Sequence, residues 1–157
     1  MSKLSPNFTL EEFTFSQTAV RYGVSNEPSP EIVAKLTKTA HHLELVRAFL
    51  GNRAIRVSSG FRSPECNALV GGSSTSSHCR GEAVDFTVAG MTPREVATKI
   101  AASSLEFDQL ILEGVSRAKP DGAWVHIAVA DMNRQEILTM KPVPGKKPKY
   151  EKGLTTV

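Results

Sequence analysis

Ala83-Val84-Asp85-Phe86-Thr87-Val88 alternates apolar and polar or small side chains over six residues, the signature of a β-strand packed on one face only. Val84, Phe86 and Val88 share the packed face, which turns Ala83, Asp85 and Thr87 to the other. Trp124-Val125-His126-Ile127-Ala128-Val129 repeats the pattern: Val125, Ile127 and Val129 pack, and Trp124, His126 and Ala128 face away. If the two strands are neighbours, Asp85 and His126 stand on the same open face. His78 precedes the first strand and follows the small polar run Gly71-Gly72-Ser73-Ser74-Thr75-Ser76-Ser77, from which it can fold over that face.

Two imidazoles and one carboxylate form a three-ligand zinc set with a vacant position, the arrangement of catalytic rather than structural zinc. On spacing alone, His78-x6-Asp85 equally describes a surface histidine followed by a strand-edge aspartate. Such a site also needs a group that takes a proton from water. Phe107-Asp108-Gln109-Leu110-Ile111-Leu112-Glu113 reads as a strand ending in a carboxylate, followed by a loop from Gly114 to Gly122 and then the His126 strand. Antiparallel pairing of that hairpin brings Glu113 near His126 as the candidate general base. Glu82 and Asp121 compete for the role, although Asp121 sits in a Pro-Asp-Gly turn. Cys79 adjoins His78, and adjacent residues rarely reach one ion together.

Upstream, Arg56 to Ser59 reads as a strand that turns into a helix capped by Ser63, with Pro64 in its first turn and its end near Gly71. Arg62 is held at that junction, where a guanidinium can grip a carboxylate or polarise a carbonyl.

The ordered set Ser59-Gly60-Phe61-Arg62-Ser63, Asn67, Ser77-His78-x6-Asp85-Phe86, Phe107 to Glu113 and Trp124-Val125-His126 resembles the zinc D-Ala-D-Ala peptidases, peptidase family M15. These include carboxypeptidases and phage-type endopeptidases that cleave peptidoglycan, and their fold is shared by the hedgehog signalling domain. The resemblance spans roughly residues 7 to 140 and is nearest to the small single-domain members of phages and prophages. It implies Zn2+ held by His78, Asp85 and His126, with Arg62 binding or polarising the substrate. Many members carry their catalytic acid three residues before the last histidine, where this chain has Ala123; others place a glutamate at the end of the preceding strand, which corresponds to Glu113. Phe61 stands where tyrosine is commoner. The implied chemistry is hydrolysis of a peptidoglycan peptide, with Glu113 accepting a proton from the attacking water and returning it to the leaving amine. Ser77 is a candidate substrate contact. The alternative is a non-catalytic wall-binding or virion module of the same fold.

The expected fold is α+β, a mixed, mostly antiparallel sheet with helices on one face. Strands are expected at about 54–58, 83–88, 107–113, 123–129 and 135–140. Helices are expected after Thr9, from Pro30 to near Gly51, and after Thr92, each with a capping signal. His41 and His42 are adjacent on the longest of these helices and point about 100° apart, so they do not suit one metal.

The 157 residues fit one domain over 1–140, and the segment 141–157, with five lysines and three prolines, reads as a flexible basic tail. The formal net charge of +3 and pI near 9.0 favour adsorption to an anionic wall. Without an aromatic-basic platform or a groove-reading motif, no nucleic-acid role is expected. No apolar run reaches membrane-span length, so no membrane insertion is expected, and the chain is read as a monomer. Its N-terminus lacks an apolar leader. The expected route is therefore synthesis in a host cytoplasm and action at the cell wall after release. Cys66 and Cys79 do not make a disulfide framework and are read as reduced.

Overall fold

A computed structural model describes residues 2–157. Strands β1 (Lys3–Ser5) and β2 (Phe8–Thr9) form a small antiparallel ribbon, followed by helices α1 (Leu10–Thr14), α2 (Gln17–Tyr22) and α3 (Pro30–Phe49). Then come β3 (Ile55–Ser59), α4 (Pro64–Leu69), a 3₁₀ turn at Ser77–Arg80, β4 (Ala83–Val88) and α5 (Pro93–Ala101). The chain ends with β5 (Gln109–Glu113), β6 (Trp124–Ala128), β7 (Glu136–Lys141) and β8 (Lys149–Lys152). The main sheet has the order β3-β4-β6-β5-β7-β8, with every pair antiparallel except β5 and β7. This is the expected mixed, mostly antiparallel α+β architecture.

Helix starts follow local chemistry. Thr9 and Thr92 each form a reciprocal capping box with a glutamate three residues on, and Ser29 and Ser63 cap helices with proline in the first turn. Each satisfies backbone N–H groups that a helix start otherwise leaves unpaired.

One sheet face and the helices share the core. Val84, Phe86, Leu110, Leu112, Val125 and Ile127 from the strands meet Leu36, Ala40, Leu43 and Val46 of α3 and Val96 and Ile100 of α5, all buried. Burying each large aliphatic or aromatic side chain contributes about 1.5–3 kcal/mol. Phe49 is exposed in the last turn of α3.

The segment after Lys141 departs from expectation. Rather than a tail outside the fold, it carries β8, paired with β7 through Leu138↔Lys152, Thr139↔Glu151, Met140↔Tyr150 and Lys141↔Lys149. Buried Thr139 anchors it: its hydroxyl donates to Gly153 O at 2.7 Å and accepts from Thr155 N at 2.9 Å. Arg94 of α5 also donates to Thr155 O, at 2.9 Å. These partners come from remote parts of the chain, so local composition alone did not reveal the strand. Helix α2 was likewise unforeseen. No helix among the described residues is long and apolar enough to cross a membrane.

Candidate metal centre

The side of the sheet facing away from the helices carries two adjoining rows of side chains. Asp85 (β4), His126 (β6), Ile111 (β5) and Leu138 (β7) are successive register partners in one row; Trp124, Glu113, Met140 and Tyr150 make the other. Partners across a sheet point to the same face, as do residues two apart along a strand. The parity read in the sequence therefore holds: Asp85 and His126 lie together, with Glu113 on the adjoining row.

His78 arrives from the 3₁₀ turn rather than from an irregular loop. Ser76 caps that turn by accepting from His78 N, and Gly81 closes it with a left-handed backbone, φ 71°. The His78 ring lies beside the His126 ring, with centroids 5.1 Å apart. Nδ1 of His78 donates to Gly60 O at 2.7 Å; because a carbonyl only accepts, Nδ1 carries the proton and Nε2 keeps its lone pair.

That free Nε2 is 3.3 Å from Asp85 Oδ1, and His126 Nδ1 is 3.0 Å from the same oxygen. The His78, Asp85 and His126 ligand atoms all fall within 4.8 Å of one another. Tetrahedral zinc with bonds of about 2.0–2.1 Å separates its ligand atoms by about 3.3 Å, so the triad fits the ion. All three residues are buried, and His126 Nε2 has no hydrogen-bond partner. Burial opposes ionisation of Asp85, yet His78 and His126 outweigh it and hold the carboxyl well below its usual range.

The triad lies in a cleft of about 560 Å³. Glu113 lines it, and burial followed by the nearby Asp85 carboxylate pushes its pKa up to about 7. His126, Trp124 and Arg62 act in the opposite direction. The Trp124 indole N–H makes no well-formed hydrogen bond, though it is close enough to Glu113 to favour the carboxylate. Arg62 lines the same cleft with its Nε buried and unpartnered, while its backbone N–H ties to His78 O at 3.2 Å. Ser77 lies on the wall beside His78.

The competing acids are engaged elsewhere. Glu82 pairs with Arg80 at 2.6 Å and lies 3.9 Å from Lys35; Asp121 lies 3.4 Å from Arg94. His42 contacts Glu106 O at 2.5 Å, away from the triad. Both cysteines are free thiols; Cys66 is buried 3.1 Å from the Ser16 hydroxyl. Tyr150 and the Asp108–Arg134 pair also line the cleft. They escaped the sequence reading because β8 was read as a tail and Asp108 only as part of a strand.

A His-Asp-His cluster with a poised carboxyl beside it, on the open face of a helix-backed sheet, defines a metal-dependent hydrolase site. A family model described as Peptidase M15 matches residues 6–128. The chain belongs to peptidase family M15, and zinc is the cofactor that this family and the donor set together imply. Over 48 residues the chain is 45% identical to the zinc D-Ala-D-Ala carboxypeptidase of Streptomyces albus G, a match covering 31% of this chain and 19% of that protein. The chain thus spans about a fifth of the length of that curated relative.

Proposed function

We propose that this chain is a zinc peptidase that hydrolyses peptide bonds in the stem peptides or cross-links of bacterial peptidoglycan, working as a phage or prophage endolysin. The observation that carries the reading is the convergence of His78, Asp85 and His126 in a cleft shared with Glu113 and Arg62. The resemblance to small single-domain endopeptidases and the relative's name supply the substrate class. Action at the wall after release from the cell in which it is made belongs to the same proposal.

His78 Nε2, Asp85 and His126 Nδ1 would hold the metal, which would supply Lewis acidity and make water nucleophilic at neutral pH. Gly60 fixes the His78 tautomer through its carbonyl. Glu113 takes the proton of the attacking water and delivers it to the departing amine, a transfer suited to a carboxyl whose pKa is near neutrality. Arg62, which lines the cleft, binds a substrate carbonyl or carboxylate through its guanidinium group. Asp85 stays ionised beside the two imidazoles.

The test is release of new amino groups from purified peptidoglycan by the zinc-loaded protein. Mass spectrometry of a defined muropeptide digest identifies the bond and separates carboxypeptidase from endopeptidase action. Glu113→Gln should retain zinc and lose roughly 10²–10⁴-fold in rate, the usual contribution of a positioned base. Absence of turnover by the unmodified protein on several wall types would instead support the non-catalytic binding module.

A further inference from the structure

The family match ends at Ala128, so β7 and β8 lie beyond it. β8 nevertheless completes the cleft. Tyr150 is the register partner of Met140, which pairs with Glu113, which pairs with Trp124. All four side chains therefore belong to one row on the cleft face. Two strand spacings of about 4.8 Å separate the Tyr150 backbone from that of Glu113. Tyr150 projects from the same face and lines the same cavity as Arg62, Glu113 and the His-Asp-His triad.

Tyr150 is half exposed, at 51%, on a strand that is otherwise mainly charged. Two of the strand's charged groups, Lys149 and Glu151, are spent on anchoring. Glu151 pairs with Lys141 at 2.8 Å and Lys149 at 3.2 Å, and accepts from Thr155. The Tyr150 hydroxyl is raised from its usual pKa by burial and then by Glu113 and Asp85, which keeps it protonated and able to donate. A neutral donor at this place also avoids adding a charge beside the Glu113 carboxyl.

We infer that Tyr150 is a substrate-positioning residue whose phenolic O–H donates a hydrogen bond to the backbone of a bound peptide from the β8 wall of the cleft. This rests on the peptidase reading above and adds a contact from outside the matched segment. The group is specific in kind: phenylalanine keeps the ring and removes only the donor.

The experiment measures binding of a purified stem-pentapeptide muropeptide by calorimetry, using zinc-loaded Glu113→Gln protein so that no turnover intervenes. Adding Tyr150→Phe should weaken affinity about ten-fold, the loss of one hydrogen bond, with zinc content and melting temperature unchanged. Lys149→Ala, on the opposite face of the same strand, should leave affinity unaltered. Equal affinity with and without the hydroxyl overturns the inference, as does an equal loss in Lys149→Ala, which would trace the effect to strand docking. If the unmodified protein cleaves peptidoglycan while Tyr150→Phe binds normally, only the Tyr150 contact falls. If the unmodified protein neither cleaves nor binds the muropeptide, both readings fall.

Discussion

The carbonyl oxygen of Gly60 lies 2.7 Å from Nδ1 of His78, and the same glycine is wedged against α1. A Cβ at residue 60 would stand 2.4 Å from the Phe13 carbonyl oxygen and 2.9 Å from Phe13 Cα, both backbone atoms. Phe61 N donates to that carbonyl at 2.7 Å, so the contact cannot open without losing a hydrogen bond. The turn at Ser59-Gly60-Phe61 thus couples a packing constraint to the tautomer of a candidate metal ligand. Gly60→Ala should destabilise the fold by roughly 1–3 kcal/mol, as overpacking does. By tilting the His78 support it should also weaken zinc binding about 10–100-fold. Thermal unfolding and chelator competition measure the two effects, and zinc affinity equal to that of the unmodified protein would refute the coupling.

The triad itself predicts a sharper result. Replacing His126 by alanine leaves His78 and Asp85 as two ligands, too few to hold zinc against a competing chelator. His126→Ala should emerge from dialysis against a weak chelator without zinc, as read by atomic emission, whereas His42→Ala should keep it. Retention of zinc by His126→Ala would move the metal elsewhere.

Glu113 supplies a pH signature. Its carboxyl is raised from 4.5 to about 7 in the folded protein without metal, first by burial and then by Asp85. The folded state therefore holds a proton that the unfolded chain has released between those values. The resulting stabilisation is complete below about 4.5 and is lost as pH rises through about 7. Metal-free Glu113→Gln lacks this contribution. The stability of the unmodified metal-free protein relative to the variant should fall across that window, measured by urea unfolding at several pH values. With zinc bound, the cation favours the carboxylate, so the acid limb of any hydrolysis should lie at or below pH 7. Parallel stability profiles for the two proteins would exclude a raised Glu113.

Much of the site was legible because β-structure exposes its logic to a period of two. Val84 and Phe86 on one side and Asp85 on the other follow from six residues, and the same parity places His126. The hairpin from Glu113 to Trp124 put the Glu113 carboxyl at the cleft end of its strand. Other features depend on contacts between residues distant in sequence. Nothing near Lys149-Tyr150-Glu151-Lys152 marks a strand, since its burial is slight and its anchors are Thr139 and the Thr155 contact from Arg94. Helix α2 is six residues long with Val20 and Tyr22 exposed, so it lacks the apolar stripe that reveals a helix.

Thr139 makes the attachment of β8 testable. Its side chain is fully buried, and its hydroxyl both donates to Gly153 O and accepts from Thr155 N. Thr139→Val keeps the shape and removes both bonds, leaving a carbonyl and an N–H to find water or remain unpaired. The expected penalty is about 1–3 kcal/mol. Because β8 is an edge strand with little buried apolar surface, this loss should appear as local opening before global unfolding. Amide exchange should therefore accelerate at Glu151 and Gly153, whose N–H groups face β7, while the amides of β4 and β6 remain protected. Since β8 carries a wall of the cleft, the same variant should bind a stem-peptide muropeptide more weakly with its zinc retained. Uniformly faster exchange across the whole sheet would show instead that Thr139 supports the core, and unchanged exchange in β8 would show that the strand is held by its backbone ladder alone.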